Sequence, residues 1–194
     1  MTLPIRQLND AEILDLLKQD VALVAGRIVE KLGERGETLA CGESLTGGLL
    51  ADAIVSVPGA SRVFLGSLVT YATSLKHRIL SVDDTLLGQR GAVDPEVAFQ
   101  MARGVGVQCG ATHQIATTGV AGPDQQDGKP VGTVFIGYSD EDATGSYVLS
   151  AHFSARVLEQ ISDAALITSV GGPRGTIRQA TVAVALADFE RRLG

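Results

Sequence analysis

Residues 38–48, Thr-Leu-Ala-Cys-Gly-Glu-Ser-Leu-Thr-Gly-Gly, join a short apolar strand to a helix through a polar turn. The first four residues suit the end of a buried strand, and residues 49–57 form a largely apolar, helix-compatible run closed by a Pro-Gly pair. Ser44 therefore lies at or just before a helix N-terminus, where unpaired N–H groups and the positive end of the helix dipole collect. This position favours a nucleophile whose attack creates an oxyanion. The alternative is that Ser44 or Thr46 simply caps the helix.

Strand and helix patterns alternate on both sides of this segment. Residues 10–32 carry apolar side chains near a 3.6-residue period, which predicts one amphipathic helix or two that abut. Asp94 and Pro95 suit the cap and first position of another helix, which is expected to end near residue 110. We predict an α/β sheet with helices on both faces, in a single domain. The other expected strands are 63–71, 113–118, 131–138 and 147–153; the other helices are 75–80, 156–168 and 176–193, the last two separated by a glycine-rich turn at 171–175.

Composition narrows the possible functions. The 194-residue chain has a net charge of −6, so no overall positive field draws in nucleic acid or an anionic membrane surface. No apolar run reaches the roughly 18 residues of a membrane span, and the first residues lack a signal-peptide core, so we expect a soluble cytoplasmic protein. Cys41 and Cys109 lie in apolar segments and are expected to be reduced thiols. Three scattered histidines support no metal site and no cofactor.

The strand predicted at 63–71 ends close to two further polar side chains. Tyr71 is its last residue, and Lys76 follows about one helical turn beyond. Ligands of open α/β sheets bind outside the carboxyl ends of the strands. We therefore expect Tyr71 and Lys76 to lie in the same neighbourhood as Ser44.

Several segments, taken in order, resemble one family: the C-terminal domain of competence-damage-inducible protein A (CinA), whose single-domain members are nicotinamide-nucleotide amidohydrolases. The resemblance implies an α/β/α sandwich with a mostly parallel, mixed sheet. It also implies metal-free hydrolysis of the carboxamide of nicotinamide mononucleotide to nicotinic acid mononucleotide and ammonia, and a homo-oligomer. The matching segments are Gly42-Glu-Ser-Leu-Thr-Gly-Gly48, Tyr71 with Lys76, Gly91-Ala-Val93, Thr118-Gly-Val-Ala-Gly-Pro123, Lys129-Pro-Val-Gly-Thr133 and the region near Arg174.

Carried over by position, Ser44 would be the nucleophile, and Lys76 would take its proton and later protonate the departing ammonia. Tyr71 would orient or relay within that pair. A lysine can act as a base only if its pKa falls well below its usual value of about 10.4. The apolar residues around Lys76 make the necessary burial possible.

The remaining expected contacts concern the substrate. Backbone N–H groups around Thr46, Gly47 and Gly48 would bind the oxyanion. Cationic or N–H donors would bind the substrate's phosphate, and the candidates are Arg174, Arg178 and the loop at 119–122. The expected substrate-binding residues are Thr46, Gly47, Gly48, Thr118, Gly119, Gly122 and Arg174.

The chain departs from the family pattern at several points. Leu45 stands where the family usually has Cys, and the usual Tyr-Ser-Asn run reads Tyr-Ala-Thr at 71–73. Arg156 and Arg174, 18 positions apart, both match the arginine that the family places before its last helix. These departures motivate one alternative to the amidase, a domain that binds a nucleotide without turning it over. The family's name suggests another, an interaction protein tied to DNA uptake or recombination, which the acidic chain does little to support.

Overall fold

A computed structural model describes residues 3–141, 143, 145–167 and 171–194. Its centre is a six-stranded sheet in the spatial order β1-β6-β5-β4-β2-β3. The pairings β1–β6, β4–β2 and β2–β3 are parallel, whereas β4–β5 and β5–β6 are antiparallel. The mostly parallel, mixed sheet is thus confirmed. The strands are β1 (Ile5–Gln7), β2 (Leu39–Glu43), β3 (Phe64–Val69), β4 (His113–Gly119), β5 (Thr133–Asp140) and β6 (Tyr147–His152).

Helices cover both faces of the sheet. Along β2 and β4 successive side chains point to opposite faces, so Leu39 and Ile115 enter one core, whereas Ala40 and Ala116 enter the other. The first core packs against α1, α2, α3, α7 and α8, and the second against α4, α5 and α6. The helices are α1 (Asp10–Leu17), α2 (Val21–Arg35), α3 (Leu49–Val55), α4 (Thr73–Leu80), α5 (Asp84–Arg90), α6 (Pro95–Cys109), α7 (Ala155–Asp163) and α8 (Gly172–Leu193).

The structure decides between the two alternatives near the start of the chain and corrects the assignment before the last helix. The region 10–32 forms two abutting helices, the second of the alternatives, because Asp20 caps α2 through the N–H groups of Ala22 and Leu23. The predicted turn at 171–175 is wrong: α8 begins at Gly172, with Pro173 in its first turn. The helix predicted at 156–168 ends at Asp163, and its last predicted residue lies outside the described residues.

A close helix contact fixes the position of α4. A Cβ built on Gly104 of α6 would lie 2.0 Å from the carbonyl oxygen of Leu80, at the end of α4. The two helices therefore approach more closely there than any side chain at position 104 would allow. This contact places α4, and the lysine that it carries, above the carboxyl end of β2. Within the described residues, no helix is both long enough and apolar enough to cross a membrane.

Candidate active site

The turn after β2 is organised by Glu43, the last residue of that strand. Glu43 is completely buried. Gly48 occupies the N-cap position of α3 and has no side chain to bond the first N–H groups of the helix, so the Glu43 carboxylate takes that role. The carboxylate accepts hydrogen bonds from the N–H groups of Gly48 (2.9 Å), Leu50 (3.2 Å) and Ala51 (3.0 Å) and from the hydroxyl of Ser67 (2.9 Å).

Because Glu43 caps α3, the hydroxyls of Ser44 and Thr46 serve other purposes, and the interpretation of either one as the cap is wrong. The Thr46 hydroxyl lies 2.8 Å from the Thr117 hydroxyl in a fully buried pair. The Ser44 N–H donates to the carbonyl oxygen of Thr117 at 3.0 Å, which ties the turn to β4. The Ser44 hydroxyl is left facing Lys76.

Lys76 is buried, with 1% of its surface exposed, and its amine has three oxygen neighbours. Nζ lies 3.0 Å from Ser44 Oγ, 2.8 Å from the carbonyl oxygen of Thr70 and 3.4 Å from that of Tyr71. Burial lowers the pKa of Lys76 to about 8, and the negative charge of Asp127 partly opposes this shift. A neutral amine can donate its two N–H groups to the two carbonyl oxygens, which leaves its lone pair for the Ser44 hydroxyl. This is the geometry that a general base requires.

Tyr71 touches this pair through its backbone rather than through its phenol. The residue is 58% exposed, and its hydroxyl accepts a hydrogen bond from Arg174 Nη2 at 2.9 Å. Arg174 Nη1 also donates to the carbonyl oxygen of Gly122. Arg174 therefore bridges two sides of the site, and the Tyr71 phenol lies at the rim and not between Ser44 and Lys76.

The backbone donors of the turn are divided into engaged and free groups. The Gly47 N–H donates to the carbonyl oxygen of Ser44 at 3.1 Å, and the Gly48 N–H is bonded to Glu43. The expectation that these two N–H groups bind an oxyanion is therefore wrong, because each already has an acceptor. Among the described residues, no acceptor receives a hydrogen bond from the N–H groups of Leu45 and Thr46.

A small cavity of about 100 Å³ opens in front of Ser44. Of the residues predicted to bind substrate, Thr118, Gly119, Gly122 and Arg174 line it, whereas Thr46, Gly47 and Gly48 are not part of its lining. The Thr118 hydroxyl donates to the carbonyl oxygen of Ala92 at 2.7 Å, so this side chain shapes the wall. The complete lining is Ser44, Leu45, Tyr71, Val93, Thr118, Gly119, Val120, Ala121, Gly122, Asp124, Gln126 and Arg174.

The arginines in question have different positions. Arg174 lines the cavity, whereas Arg156 is exposed near the start of α7. Arg178, a further phosphate candidate, donates instead to the carbonyl oxygens of Leu45 and Thr46, both at 2.8 Å. Of the three, only Arg174 adds a guanidinium group to the wall of the cavity.

Sequence reasoning missed Asp127 as well as the roles of Glu43 and Arg178. Asp127 Oδ2 accepts from the N–H groups of Ala92 (2.7 Å) and Val93 (3.2 Å) and so holds the segment that lines the cavity. A Cβ on Gly91 would lie 2.3 Å from Asp127 Cγ, and Gly91 has a φ of +75°. The Gly91-Ala-Val93 motif was the available signal, but Asp127 lies 35 positions beyond Ala92, and a separation of that length conceals the partner.

Fold and site together define an α/β/α domain with a serine–lysine site at the carboxyl ends of parallel strands. The chain belongs to the CinA family: the model of the CinA C-terminal domain matches residues 22–193. It is 50% identical over 119 residues to a CinA-like protein of Frankia casuarinae, which covers 61% of this chain and 28% of that protein. It is 42% identical over 161 residues to a CinA-like protein of Geobacter sulfurreducens, in an alignment that covers 82% of this chain and 34% of that protein. The chain thus spans about a third of the length of these curated relatives.

Solved structures agree with this assignment. The competence/damage inducible protein CihA from Agrobacterium tumefaciens superposes with a TM-score of 0.77 at 30% sequence identity, over 90% of this chain and 96% of that one. A CinA superfamily protein from Escherichia coli superposes with a TM-score of 0.75 at 27% identity, over 88% of both chains. The predicted family and the α/β/α fold are both confirmed.

Proposed function

We propose that this domain is an amidohydrolase that converts nicotinamide mononucleotide into nicotinic acid mononucleotide and ammonia. The observation that carries the proposal is the contact between Lys76 Nζ and Ser44 Oγ, at 3.0 Å, in a buried setting that lowers the pKa of the amine to about 8. A serine hydroxyl is a weak nucleophile unless a nearby base accepts its proton. Lys76 meets that requirement by distance and by pKa.

In the proposed reaction, Ser44 Oγ attacks the carboxamide carbon and its proton passes to Lys76 Nζ. The electron pair of the carbonyl bond moves onto oxygen, and a tetrahedral intermediate forms. The intermediate collapses as Lys76 protonates the amide nitrogen, ammonia leaves, and an ester to Ser44 remains. A water molecule, deprotonated by Lys76, then hydrolyses this ester to the carboxylate and restores the serine.

The volume of the cavity suggests which part of the substrate it holds. Its volume of about 100 Å³ is well below the roughly 300 Å³ at which ordinary ligand pockets begin. The proposal therefore places only the carboxamide-bearing ring inside, with the ribose and phosphate at the rim. Arg174 is the cation at that rim, and a guanidinium group suits bidentate binding of phosphate.

The test is ammonia release from nicotinamide mononucleotide by the wild type, Ser44→Ala and Lys76→Ala. Lys18→Ala is a matched control, because the Lys18 side chain is 67% exposed and pairs only loosely with Asp15, at 3.9 Å. We expect the wild type and the control to turn over, and both site variants to lose most of the rate.

A nucleotide-binding domain without turnover is the competing function, motivated by the Tyr-Ala-Thr departure at 71–73. If the wild type releases no ammonia, yet the nucleotide raises its melting temperature, the amidase proposal is refuted and the binding function replaces it.

A further inference from the structure

Arg178 contacts the nucleophile turn through the carbonyl groups of two consecutive residues. From α8, its Nε donates to the carbonyl oxygen of Leu45 and its Nη2 to that of Thr46, both at 2.8 Å. A Cβ built on Gly47 would lie 3.3 Å from Nη2, and the φ of Gly47 is +56°. Glycine at 47 therefore lets the guanidinium group approach the turn this closely.

Each of these carbonyls shares a peptide plane with an N–H group. The Leu45 carbonyl belongs to the same peptide unit as the Thr46 N–H, which is one of the two free donors. The Thr46 carbonyl belongs to the same unit as the Gly47 N–H, which donates to the Ser44 carbonyl. The Ser44 carbonyl in turn shares its unit with the Leu45 N–H, the second free donor.

Two chains of hydrogen bonds thus begin at Arg178 and end at free N–H groups beside Ser44. The short chain runs from Nε to the Leu45 carbonyl, and the peptide unit of that carbonyl carries the Thr46 N–H. The long chain runs from Nη2 to the Thr46 carbonyl, and the Gly47 N–H of that unit donates to the Ser44 carbonyl. The peptide unit of the Ser44 carbonyl carries the Leu45 N–H. Hydrogen bonds in a chain polarise one another, and a cationic donor is roughly twice as strong as a neutral one. The free donors are therefore stronger than those of an ordinary turn.

We propose that the Leu45 N–H, which belongs to a residue lining the cavity, is the oxyanion donor, and that Arg178 is a positioning residue that orients and polarises this N–H through the long chain. The proposal rests on the function proposed above. When Ser44 attacks, the carbonyl electron pair moves onto oxygen, and the new negative charge meets the Leu45 N–H, which hydrogen bonding has already polarised. Arg178 itself does not line the cavity, and it donates to the carbonyl groups of the turn.

This role is distinguishable from phosphate binding, because the two roles affect different steps. An arginine that bound phosphate would contribute to substrate affinity, so its loss would raise KM. An arginine that strengthens the oxyanion hole acts only when charge develops, so its loss lowers kcat and leaves KM nearly unchanged.

The experiment compares Arg178→Gln and Arg178→Lys with the wild type, Ser44→Ala and Arg191→Gln. Arg191 lies on the same helix and forms an exposed ion pair with Asp15, so its variant controls for loss of a charge from α8. Two reactions are followed: hydrolysis of nicotinamide mononucleotide, and acylation by p-nitrophenyl acetate, in which the acetyl group moves to Ser44 and p-nitrophenolate leaves. Mass spectrometry locates the acetyl group, and melting temperatures report folding.

We expect Arg178→Gln to lower both kcat and the rate of Ser44 acylation by about 10- to 100-fold, with KM changed by less than about 3-fold. This loss is smaller than the 10²–10³ that follows removal of an oxyanion donor itself, because the N–H groups remain. Arg178→Lys keeps the charge but not both hydrogen bonds, and its rates should fall between those of the wild type and Arg178→Gln. Arg191→Gln should match the wild type.

Several results would overturn the proposed relay, that is, the polarisation of the oxyanion donor by Arg178 through the turn. Unchanged acylation in a folded Arg178→Gln variant would do so, as would a loss confined to KM. If Arg178→Gln does not fold, an Arg178→Lys variant with full kcat also overturns the proposal. A wild type whose Ser44 cannot be acylated overturns it as well. A wild type that is acylated but leaves nicotinamide mononucleotide intact refutes the proposed amidase; a slower acylation in Arg178→Gln would then still support the relay.

Discussion

Replacing Lys76 by Met should change how the stability of the protein depends on pH. The pKa of Lys76 falls from 10.5 to about 8 on folding, because the amine is buried. Each pKa unit corresponds to about 1.4 kcal/mol, so holding the charged amine in the fold at pH 7 costs about 3 kcal/mol. The penalty is fully present below pH 8 and is relieved as pH rises towards 10.5, since the unfolded chain then holds the proton and the folded chain does not.

Between pH 7 and pH 10, the wild type should therefore gain about 2 kcal/mol of stability relative to Lys76→Met, which has no amine to titrate. Urea unfolding at each pH measures the difference directly, with the linear extrapolation applied to each variant. Lys18→Met serves as the matched control, because its amine is exposed and its variant should follow the wild type. A difference between wild type and Lys76→Met that stays constant from pH 7 to pH 10 would refute the assignment of a strongly lowered lysine pKa.

The same titration sets the pH dependence of the proposed reaction. Only the neutral amine of Lys76 can accept the Ser44 proton, so kcat/KM for ammonia release should rise through a midpoint near pH 8 and level off above it. A rate that is already maximal at pH 6 would show that another group is the base.

Three further substitutions test the close helix contact, the cap of α3 and the binding of phosphate. Gly104→Ala should destabilise the protein by about 1 to 3 kcal/mol, because its Cβ would lie 2.0 Å from Leu80 O, whereas Gly88→Ala meets nothing within 4 Å and should stabilise by up to about 1 kcal/mol. Equal urea midpoints for the two would contradict the close contact. Glu43→Gln should lose about 1 to 3 kcal/mol in the same assay, because an amide group replaces an acceptor oxygen at the start of α3. Arg174→Met should raise KM for nicotinamide mononucleotide about 10-fold with little change in kcat, while Arg156→Met alters neither; equal KM values would remove Arg174 as the phosphate ligand.

Local patterns were enough to predict most of the fold. The caps at Asp94 and Pro95 and the apolar periods act over a few residues, so helices and strands could be read one at a time. The strand β1 was missed because it has three residues, all exposed, and is held by pairing with residues 148–150 of β6. A segment this short has no period of its own, and its structure comes from a distant partner.

The candidate site divides in the same way. The rule that strand ends share an edge of the sheet could place Ser44 and Lys76 in one neighbourhood, and the resemblance to the CinA family named them as partners. The role expected of Tyr71 depended on the direction of its side chain, which spacing does not determine, and the phenol points to Arg174.

By itself, the sequence determined the family and the α/β/α class, because these follow from local periodicity and from short motifs in a set order, and the resemblance to that family implied the pairing of a serine with a lysine. Only the tertiary structure decided which polar groups of the turn are engaged, since the Glu43 side chain accepts from its N–H groups and the Arg178 side chain donates to its carbonyl groups. It also decided the pKa of Lys76, because burial is a property of the packed chain. Contacts such as Arg178 with Leu45 join residues 133 positions apart, and their hydrogen bonds exist only once both cores are packed.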